Sequence, residues 1–127
     1  MTAPGTRRIV ILGGGTGGTL TANRLHRHFR HHGSEHQPVE IVVVDRDDHH
    51  MYQPGLLFVP FGTAHAEDIV RPRGRQLHKG IDYRQSAIDR VDLDADTVHL
   101  VDGTELGYDV LVVATGATLL PEETEGL

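Results

Sequence analysis

The sequence predicts an α/β fold built on a parallel sheet, with an inserted antiparallel β-meander. Two apolar strands, 9–12 and 40–45, flank one predicted helix, and the second has the β-branched run of a strand covered on both faces. Residues 86–116 alternate short apolar runs with turn signals, which is typical of a meander. A further apolar run, 108–113, predicts one more buried strand. The length of 127 residues suits one domain with a real core.

The composition is that of a soluble globular protein, with 38% hydrophobic and 24% charged residues. The apolar runs are far shorter than a membrane span, and no secretory leader precedes the first strand. We therefore expect a cytoplasmic chain, with peripheral docking at the inner face of the membrane as the alternative. The sequence has no cysteine. Disulfide bonds, thiolate zinc sites and dithiol redox chemistry carried by this chain are thereby excluded.

The net charge of −6 is unevenly distributed along the chain. No acidic residue precedes Glu35, whereas acidic residues dominate from Asp82 onward. A basic N-terminal third suits an anionic cofactor. The acidic C-terminal part argues against nucleic acid as a partner.

The first strand runs directly into a glycine-rich turn that begins the helix. Gly13, Gly15 and Gly18 satisfy the G-x-G-x-x-G spacing. The first glycine of this pattern permits a tight turn, the second lets the backbone approach a pyrophosphate, and the third lets the helix pack on the strand. Amide groups at the start of the helix, with the positive end of its dipole, hold the phosphates. Strand, turn, helix and second strand together predict a dinucleotide-binding unit.

The predicted helix spans Thr16 to about His32, and Gly33 is expected to end it. Its last turns read HRHFRHH, with four histidines and two arginines. His28 and His32 are four residues apart, so a metal or anion patch is one interpretation. The other, which we favour, is that cationic side chains stabilise the C-terminus of a helix. We predict no metal site in this chain.

The second strand ends in Asp45, where an acid accepts hydrogen bonds from an adenosine ribose. Arg46 follows directly and raises the alternative of a nucleotide with a 2′-phosphate. Because an acid at the ribose position disfavours that phosphate, we expect a nucleotide without it.

Residues 47–62 form a long segment in which the sequence predicts no helix. It has two prolines and several apolar or aromatic residues. Since long irregular segments in compact domains are usually functional, it is interpreted either as a core-lining loop or as a lid over a flat apolar ring. His49 and His50 are conceivable bases, but we assign no catalytic residue to this chain.

Residues 67–79 predict a short helix followed by a turn. We interpret their basic side chains as a solvated face, and a phosphate-contacting or membrane-surface role stays open. The basic residues are Arg71, Arg73, Arg75 and Lys79.

The last third of the chain contains strand and turn signals in regular succession. Residues 81–85 predict a strand, and Asp94 to Asp96 and Asp102-Gly103 are turn signals between alternating runs. The buried run 108–113 ends in the small residues 114–116, which permit a ligand to approach the carboxyl edge of the sheet. The acidic residues 121–127 show no structural signal.

Four stretches, ILGGGTGG, IVVVD, HHMYQPGLL and YDVLVVATGA, together resemble the flavoproteins with two dinucleotide-binding domains, the FAD-dependent pyridine nucleotide-disulfide oxidoreductase superfamily. Within it, the chain is most similar to sulfide:quinone oxidoreductase and type II NADH dehydrogenases. The resemblance covers Arg8 to about Leu127. It implies a Rossmann-like FAD-binding domain for residues 1–127.

The resemblance also implies which residues contact FAD. The glycine-rich turn would hold the pyrophosphate, and residues at the ends of later strands would hold the rest of the cofactor. The residues implied are Gly13, Gly15, Thr16, Gly17 and Gly18 at the pyrophosphate, Asp45 and Arg46 at the ribose, Ala87 and Ile88 at the adenine, Gln53 and Pro54 on the flavin side, and Thr115 and Gly116 where the chain closes on the cofactor.

The activity implied by the resemblance is oxidoreductase chemistry, in which electrons from sulfide or NAD(P)H pass through FAD to a quinone. Family members continue beyond the ATG motif into a second, NAD(P)-like domain and a C-terminal region, where the reactive cysteines lie. We therefore expect an N-terminal FAD-binding part that is inactive alone. Its expected partners are FAD and a separately encoded second half, with quinone bound only by the complete protein.

The alternative is a non-catalytic module or truncated remnant that binds FAD or ADP. A stand-alone NAD dehydrogenase is disfavoured, because too little chain follows Gly116 to form a substrate pocket.

Overall fold

The structure, a computed structural model, describes residues 5–31, 37–118 and 120–126. The predicted strands and the predicted helix occur in the expected order, with further short strands and 3₁₀ helices among them. In chain order they are β1 Arg7–Leu12, α1 Thr16–His31, β2 Val39–Asp45, β3 His49–Met51, β4 Val70–Pro72, β5 Asp82–Gln85, β6 Ile88–Asp92, β7 Thr97–Leu100, β8 Glu105–Gly107 and β9 Val110–Val113. The 3₁₀ helices are Gln53–Phe58, Ala66–Ile69, Arg73–Arg75 and Pro121–Glu123.

Four strands form one parallel sheet in the order β5-β2-β1-β9, which confirms the predicted sheet. Ile11 of β1 lies opposite Val43 of β2 on one side and Val112 of β9 on the other. Val43 in turn lies opposite Tyr83 of β5. All four strands therefore end at the same edge of the sheet.

Both faces of this sheet are covered, because its apolar side chains alternate between two layers. Ile9, Ile11, Ile41 and Val43 pack towards α1, while the next residue along each strand packs towards the meander. The covering side chains are Ala22, Leu25 and Phe29 from α1, and Val98, Leu100 and Leu106 from the meander.

The predicted meander is confirmed as an antiparallel sheet in the order β6-β7-β8. Val98 of β7 lies opposite Val91 of β6 and Leu106 of β8. The two turns occur where the sequence places them. Asp96 has a φ of 49° and Gly103 a φ of 85°, so both residues adopt the left-handed conformation that tight turns require.

The segment between β2 and β5 has more structure than the sequence predicts. Residues 47–62 contain a strand and a 3₁₀ helix rather than an irregular loop alone. β3 pairs with β4 in an antiparallel ladder, and Tyr52 N–H donates to the Ile69 carbonyl at 2.8 Å. In place of the helix expected within residues 67–79, the structure has two 3₁₀ turns, Ala66–Ile69 and Arg73–Arg75, with β4 between them. We call residues 49–72 the β3–β4 hairpin.

Two further expectations concern the ends of elements. The tail expected to lack structure contains the 3₁₀ turn Pro121–Glu123. α1 extends to His31, while His32 and the predicted stop at Gly33 lie outside the described residues. Within the described ranges, no helix is long and apolar enough to cross a membrane.

Candidate functional site

The candidate site lies at the carboxyl edge of the parallel sheet. β1, β2, β5 and β9 end there at Leu12, Asp45, Gln85 and Val113. Ligands of open parallel sheets bind outside this edge, because the loops that follow the strands converge on it. The residues predicted to contact a dinucleotide follow the ends of these strands, except for the pair at 53 and 54.

Two glycines of the loop after β1 are fixed by packing. Gly13 has a φ of 96°, and a Cβ added to it would meet the backbone of Ala114 and lie 2.9 Å from the Cα of Thr115. A Cβ on Gly18 would meet the Gly13 carbonyl, whose carbon would be 2.9 Å away. Gly13 therefore provides the tight turn and Gly18 the close approach of helix to strand, which are the roles of the first and third glycines of the motif.

The other two predicted glycines border open space. A Cβ added to Gly15 or Gly17 meets no atom within 4 Å. α1 begins between them, at Thr16, so the amide groups and the dipole of a 16-residue helix start at this position. An anion fits here, because the backbone is bare and the space beside it is empty. The residues present therefore fit the pyrophosphate of a dinucleotide.

Asp45 joins the end of β2 to the glycine-rich loop. Its Oδ2 accepts a hydrogen bond from Gly14 N–H at 2.6 Å, and its Oδ1 accepts one from Asp47 N–H at 3.0 Å. A carboxylate has about four lone-pair positions, so it can accept a further bond from a ribose hydroxyl. Arg46 is exposed, and its guanidinium pairs with the Asp47 carboxylate at 3.4 Å.

The residues after β5 and β9 lie beside the same loop. Ser86 N–H donates to the Asp45 carbonyl at 3.0 Å, which brings Ala87 close to the end of β2. Ile88 begins β6 and packs with the meander core. Ala114 N–H donates to the Leu12 carbonyl at 2.8 Å. Thr115 therefore adjoins Gly13, and Gly116 follows with a φ of 74°.

Gln53 and Pro54 do not follow a strand of the parallel sheet. Both are exposed on the 3₁₀ helix of the β3–β4 hairpin, where buried Gly55 packs against Ile69. The nearby His49 is exposed on β3. The structure thus places the predicted phosphate, ribose and adenine residues at the ends of the parallel strands, and the predicted flavin-side pair on the β3–β4 hairpin, which follows β2 in the chain.

The interpretation of the basic residues in 67–79 as a solvated face is wrong for Arg73. Its side chain is only 6% exposed. Its Nη1 donates to the Gly14 carbonyl, its Nε donates to the Asp47 carbonyl at 2.8 Å, and its Nη2 donates to the His49 carbonyl at 2.6 Å. Nη2 also lies 3.5 Å from Asp45 Oδ2. Arg73 therefore contacts the glycine-rich loop, the end of β2 and the hairpin at once.

Gly14 is a second residue of the site that the G-x-G-x-x-G motif does not identify. A Cβ on Gly14 would lie 2.5 Å from the Arg73 Cδ, so the arginine occupies the space that a side chain would need. One feature of the sequence does indicate that position 14 has no room for a side chain. The loop has three consecutive glycines, 13 to 15, where the motif requires only the first and third of them. No sequence signal separates Arg73 from its exposed basic neighbours.

Tyr83 supports the same corner of the site from β5. Its hydroxyl donates to the Asp47 carbonyl at 2.6 Å, the carbonyl that also accepts from Arg73. Burial raises the pKa of Tyr83, and the carboxylates of Asp45 and Asp48 add to this, while Arg73 opposes it. The phenol is therefore a neutral hydrogen-bond donor at physiological pH.

A metal site is not formed in the part of the chain that the structure describes, since no three histidine or carboxylate side chains there lie close enough to hold an ion. The histidine-rich end of α1 instead packs on the loop before β5. The His26 and His78 rings stack with their centroids 4.0 Å apart.

The chain was compared with known families, curated proteins and solved structures. The family described as pyridine nucleotide-disulphide oxidoreductase matches residues 7–127. The chain belongs to this family. This agrees with the resemblance that the sequence motifs indicated.

Among the relatives, mitochondrial sulfide:quinone oxidoreductase of Dictyostelium discoideum is 32% identical, covering 94% of this chain and 25% of that protein. Demethylphylloquinone reductase of Synechocystis is 39% identical, over 90% of this chain and 29% of that protein. Type II NADH:quinone oxidoreductase of Staphylococcus aureus also matches, at 26% identity over 87% of this chain and 26% of that protein. The chain therefore spans about a quarter of the length of these relatives.

The fold is shared with solved structures. The crystal structure of the sulfide:quinone oxidoreductase from Aquifex aeolicus superposes with a TM-score of 0.74 at 26% identity, covering 90% of this chain and 25% of that one. The Rossmann-like α/β architecture predicted from the sequence is thereby confirmed.

Proposed function

We propose that this chain binds FAD and is the dinucleotide-binding part of a flavin-dependent oxidoreductase similar to sulfide:quinone oxidoreductase. The observation that carries the proposal is the contrast within the loop after β1. Neighbouring backbone atoms leave no room for a side chain at Gly13 and Gly18. Gly15 and Gly17, in contrast, border open space at the start of α1. This is the arrangement that a pyrophosphate requires, and Asp45 lies beside it, bonded to the Gly14 amide.

When it is bound, FAD supplies the redox chemistry of such an enzyme, and this chain binds and orients the cofactor. The amide groups at the start of α1 hold the phosphates. The Asp45 carboxylate accepts from the ribose hydroxyls, and the backbone after Ser86 approaches the adenine. Thr115 and Gly116 close the site from the end of β9. We assign no proton transfer or covalent step to a side chain of this chain.

The proposal extends to the complete protein. Its electrons come from sulfide or NAD(P)H, pass through FAD and leave to a quinone. The names of two relatives, a sulfide:quinone and an NADH:quinone oxidoreductase, support the donors sulfide and NADH and the quinone acceptor. The relatives are about four times as long as the region matched here. We therefore propose that turnover requires a second dinucleotide domain and a C-terminal region, supplied by further chain or by a second polypeptide, and that the complete enzyme attaches peripherally to the membrane.

A second candidate is a non-catalytic module that binds ADP or FAD. The exposure of Gln53 and Pro54 on the β3–β4 hairpin favours it, because their place beside a flavin rests on the resemblance alone. Such a module would use the phosphate and ribose contacts alone.

Expression of the chain in the presence of FAD, followed by gel filtration and a visible spectrum, tests these candidates. We expect a retained flavin absorption band and no quinone reduction by the chain alone. A folded, colourless chain that still binds ADP in calorimetry would favour the non-catalytic module. A folded chain that binds neither ligand would overturn both candidates.

A further inference from the structure

We infer that Arg73 is a positioning residue of the nucleotide site, which aims the Gly15 amide group at the phosphates by holding the Gly14 carbonyl. The inference rests on the proposed function, because it concerns the same loop. It gives a role to a side chain that lies 59 residues beyond Gly14 in the sequence.

The geometry of the peptide bond carries the first step. The Gly14 carbonyl and the Gly15 N–H belong to one planar trans peptide unit, so they point in opposite directions. Arg73 Nη1 donates to this carbonyl from the buried side of the loop, and the Thr19 hydroxyl donates to it at 2.9 Å. The Gly15 N–H is thereby turned away from Arg73. Glycine has no side chain to fix its own backbone, so these external contacts set the direction.

The surroundings of Gly15 agree with this direction. A Cβ on Gly15 would meet no atom within 4 Å, so the space beside it is open. In the described part of the chain, the Gly15 N–H donates no hydrogen bond, although the Gly15 carbonyl accepts one from Thr19 N–H at 2.9 Å. A backbone donor at the start of a helix that faces open space is suited to bind a phosphate.

The contacts of Arg73 explain why an arginine is needed there. The guanidinium is a rigid fork whose donors reach several acceptors at once. Here it spans the carbonyls of Gly14, Asp47 and His49 and lies 3.5 Å from the Asp45 carboxylate. A lysine ammonium is a single point charge and cannot hold all of these acceptors. The Gly14 residue is fixed at both ends, since its N–H donates to Asp45 at 2.6 Å.

The inference is tested by calorimetric titration of the 127-residue chain with ADP and, separately, with adenosine. In Arg73→Met we expect the ADP affinity to fall about tenfold or more, the range for a lost charged hydrogen bond. The adenosine affinity should fall by a smaller factor, because Asp45 loses its neighbouring guanidinium but keeps the bond from the Gly14 amide group. A merely structural role would weaken the binding of both ligands to the same extent. Arg73→Lys should give an intermediate loss. Arg75→Met, at an exposed basic residue two positions on, is the matched control and should bind ADP as the wild type does.

The outcomes separate the inference from the proposed function. If the wild-type chain binds neither ADP nor FAD, the proposed function fails and the inference fails with it. If the wild type binds ADP and Arg73→Met binds it equally well, or loses adenosine affinity to the same extent, the inference alone is wrong. Thermal unfolding shows whether Arg73→Met is folded. Where it is not, Thr19→Val removes the other donor to the Gly14 carbonyl, and undiminished ADP affinity in both Thr19→Val and Arg73→Lys overturns the inference.

Discussion

At the scale of single residues, Gly15 is the position where a small change should abolish cofactor binding without disturbing the fold. The space beside it is open, so Gly15→Val can be accommodated by the protein but would fill the place of the pyrophosphate. We expect Gly15→Val to lose its flavin during gel filtration while its unfolding temperature stays close to that of the wild type. The measurement is the ratio of flavin to protein absorbance.

Gly107→Val is the control for this substitution. Gly107 lies in β8 and is exposed, and the nearest atom to an added Cβ is 4.0 Å away. It should retain flavin as the wild type does. Full flavin retention by Gly15→Val would show that the phosphates do not lie against this loop.

His26 is the residue whose protonation should make stability depend on pH. Burial lowers the pKa of His26 below its usual 6.5, and the nearby charges of His78 and Arg30 lower it further. Its Nε2 is buried with no hydrogen-bond partner in the described structure. Between the lowered folded pKa and 6.5, the unfolded chain therefore binds more protons than the folded chain does. The stability that neutral His26 contributes should be complete above pH 6.5. The free energy of unfolding should decrease as the pH falls from 6.5 towards the lowered pKa of His26.

The test of this prediction compares denaturant midpoints between pH 8 and pH 5, a range that brackets the ordinary histidine pKa of 6.5. His26→Gln should show a smaller fall in midpoint across that range than the wild type. His31→Gln, at an exposed position of the same helix, should keep the wild-type slope. Equal slopes in all three proteins would contradict the assignment to His26.

The residues of the site differ in how far the sequence reveals them. Gly13, Gly15 and Gly18 are recognisable because backbone geometry imposes a fixed spacing on them within one turn. Arg73 acts at a distance of 59 residues from Gly14, and its position depends on how the hairpin folds back on the sheet. Its neighbours in sequence are also basic, so neither charge nor periodicity distinguishes it. Only the tertiary contacts identify it.

At the scale of elements, the meander should stabilise the sheet by covering one of its faces. Val98 at the centre of β7 is fully buried against the core that includes Val10 and Val42. We expect Val98→Ala to lower the free energy of unfolding by about 2 kcal/mol, from lost burial and the cavity left behind. Urea denaturation measures this. Val101→Ala, whose side chain is 64% exposed, should change it by less than about 0.5 kcal/mol.

The sequence predicts long elements better than short ones, for a physical reason. β1, β2 and α1 have six, seven and sixteen residues, so their apolar pattern repeats often enough to be read from the sequence. β3 and β4 have three residues each and pair across the long connection between them. A three-residue strand has no measurable period. β8 is equally short, but the turn signal at Asp102-Gly103 places it beside β7, whereas the pairing of β3 and β4 is set by contacts distant in sequence. The sequence therefore does not reveal the hairpin, although it marks the segment as unusual.

At the scale of the whole molecule, the buried apolar residues and a group of exposed apolar residues lie in different parts of the fold. The buried apolar side chains lie on the two faces of the parallel sheet. Several large apolar side chains between residues 51 and 61 are exposed instead, with Leu57 71% and Phe61 82% exposed. Exposed apolar groups contribute little to folding stability but favour association with other apolar surfaces.

The separation predicts that stability and self-association can be changed independently. The double variant Leu57→Ser/Phe61→Ser should unfold at nearly the wild-type denaturant concentration, because neither side chain is buried. Its sedimentation coefficient should depend less on protein concentration than that of the wild type, since less apolar surface is available for association. Leu93→Ser, at a 73% exposed position before β7, tests whether any exposed leucine has this effect. A matching decrease in Leu93→Ser would assign association to general surface hydrophobicity, whereas a decrease confined to the double variant assigns it to the β3–β4 hairpin.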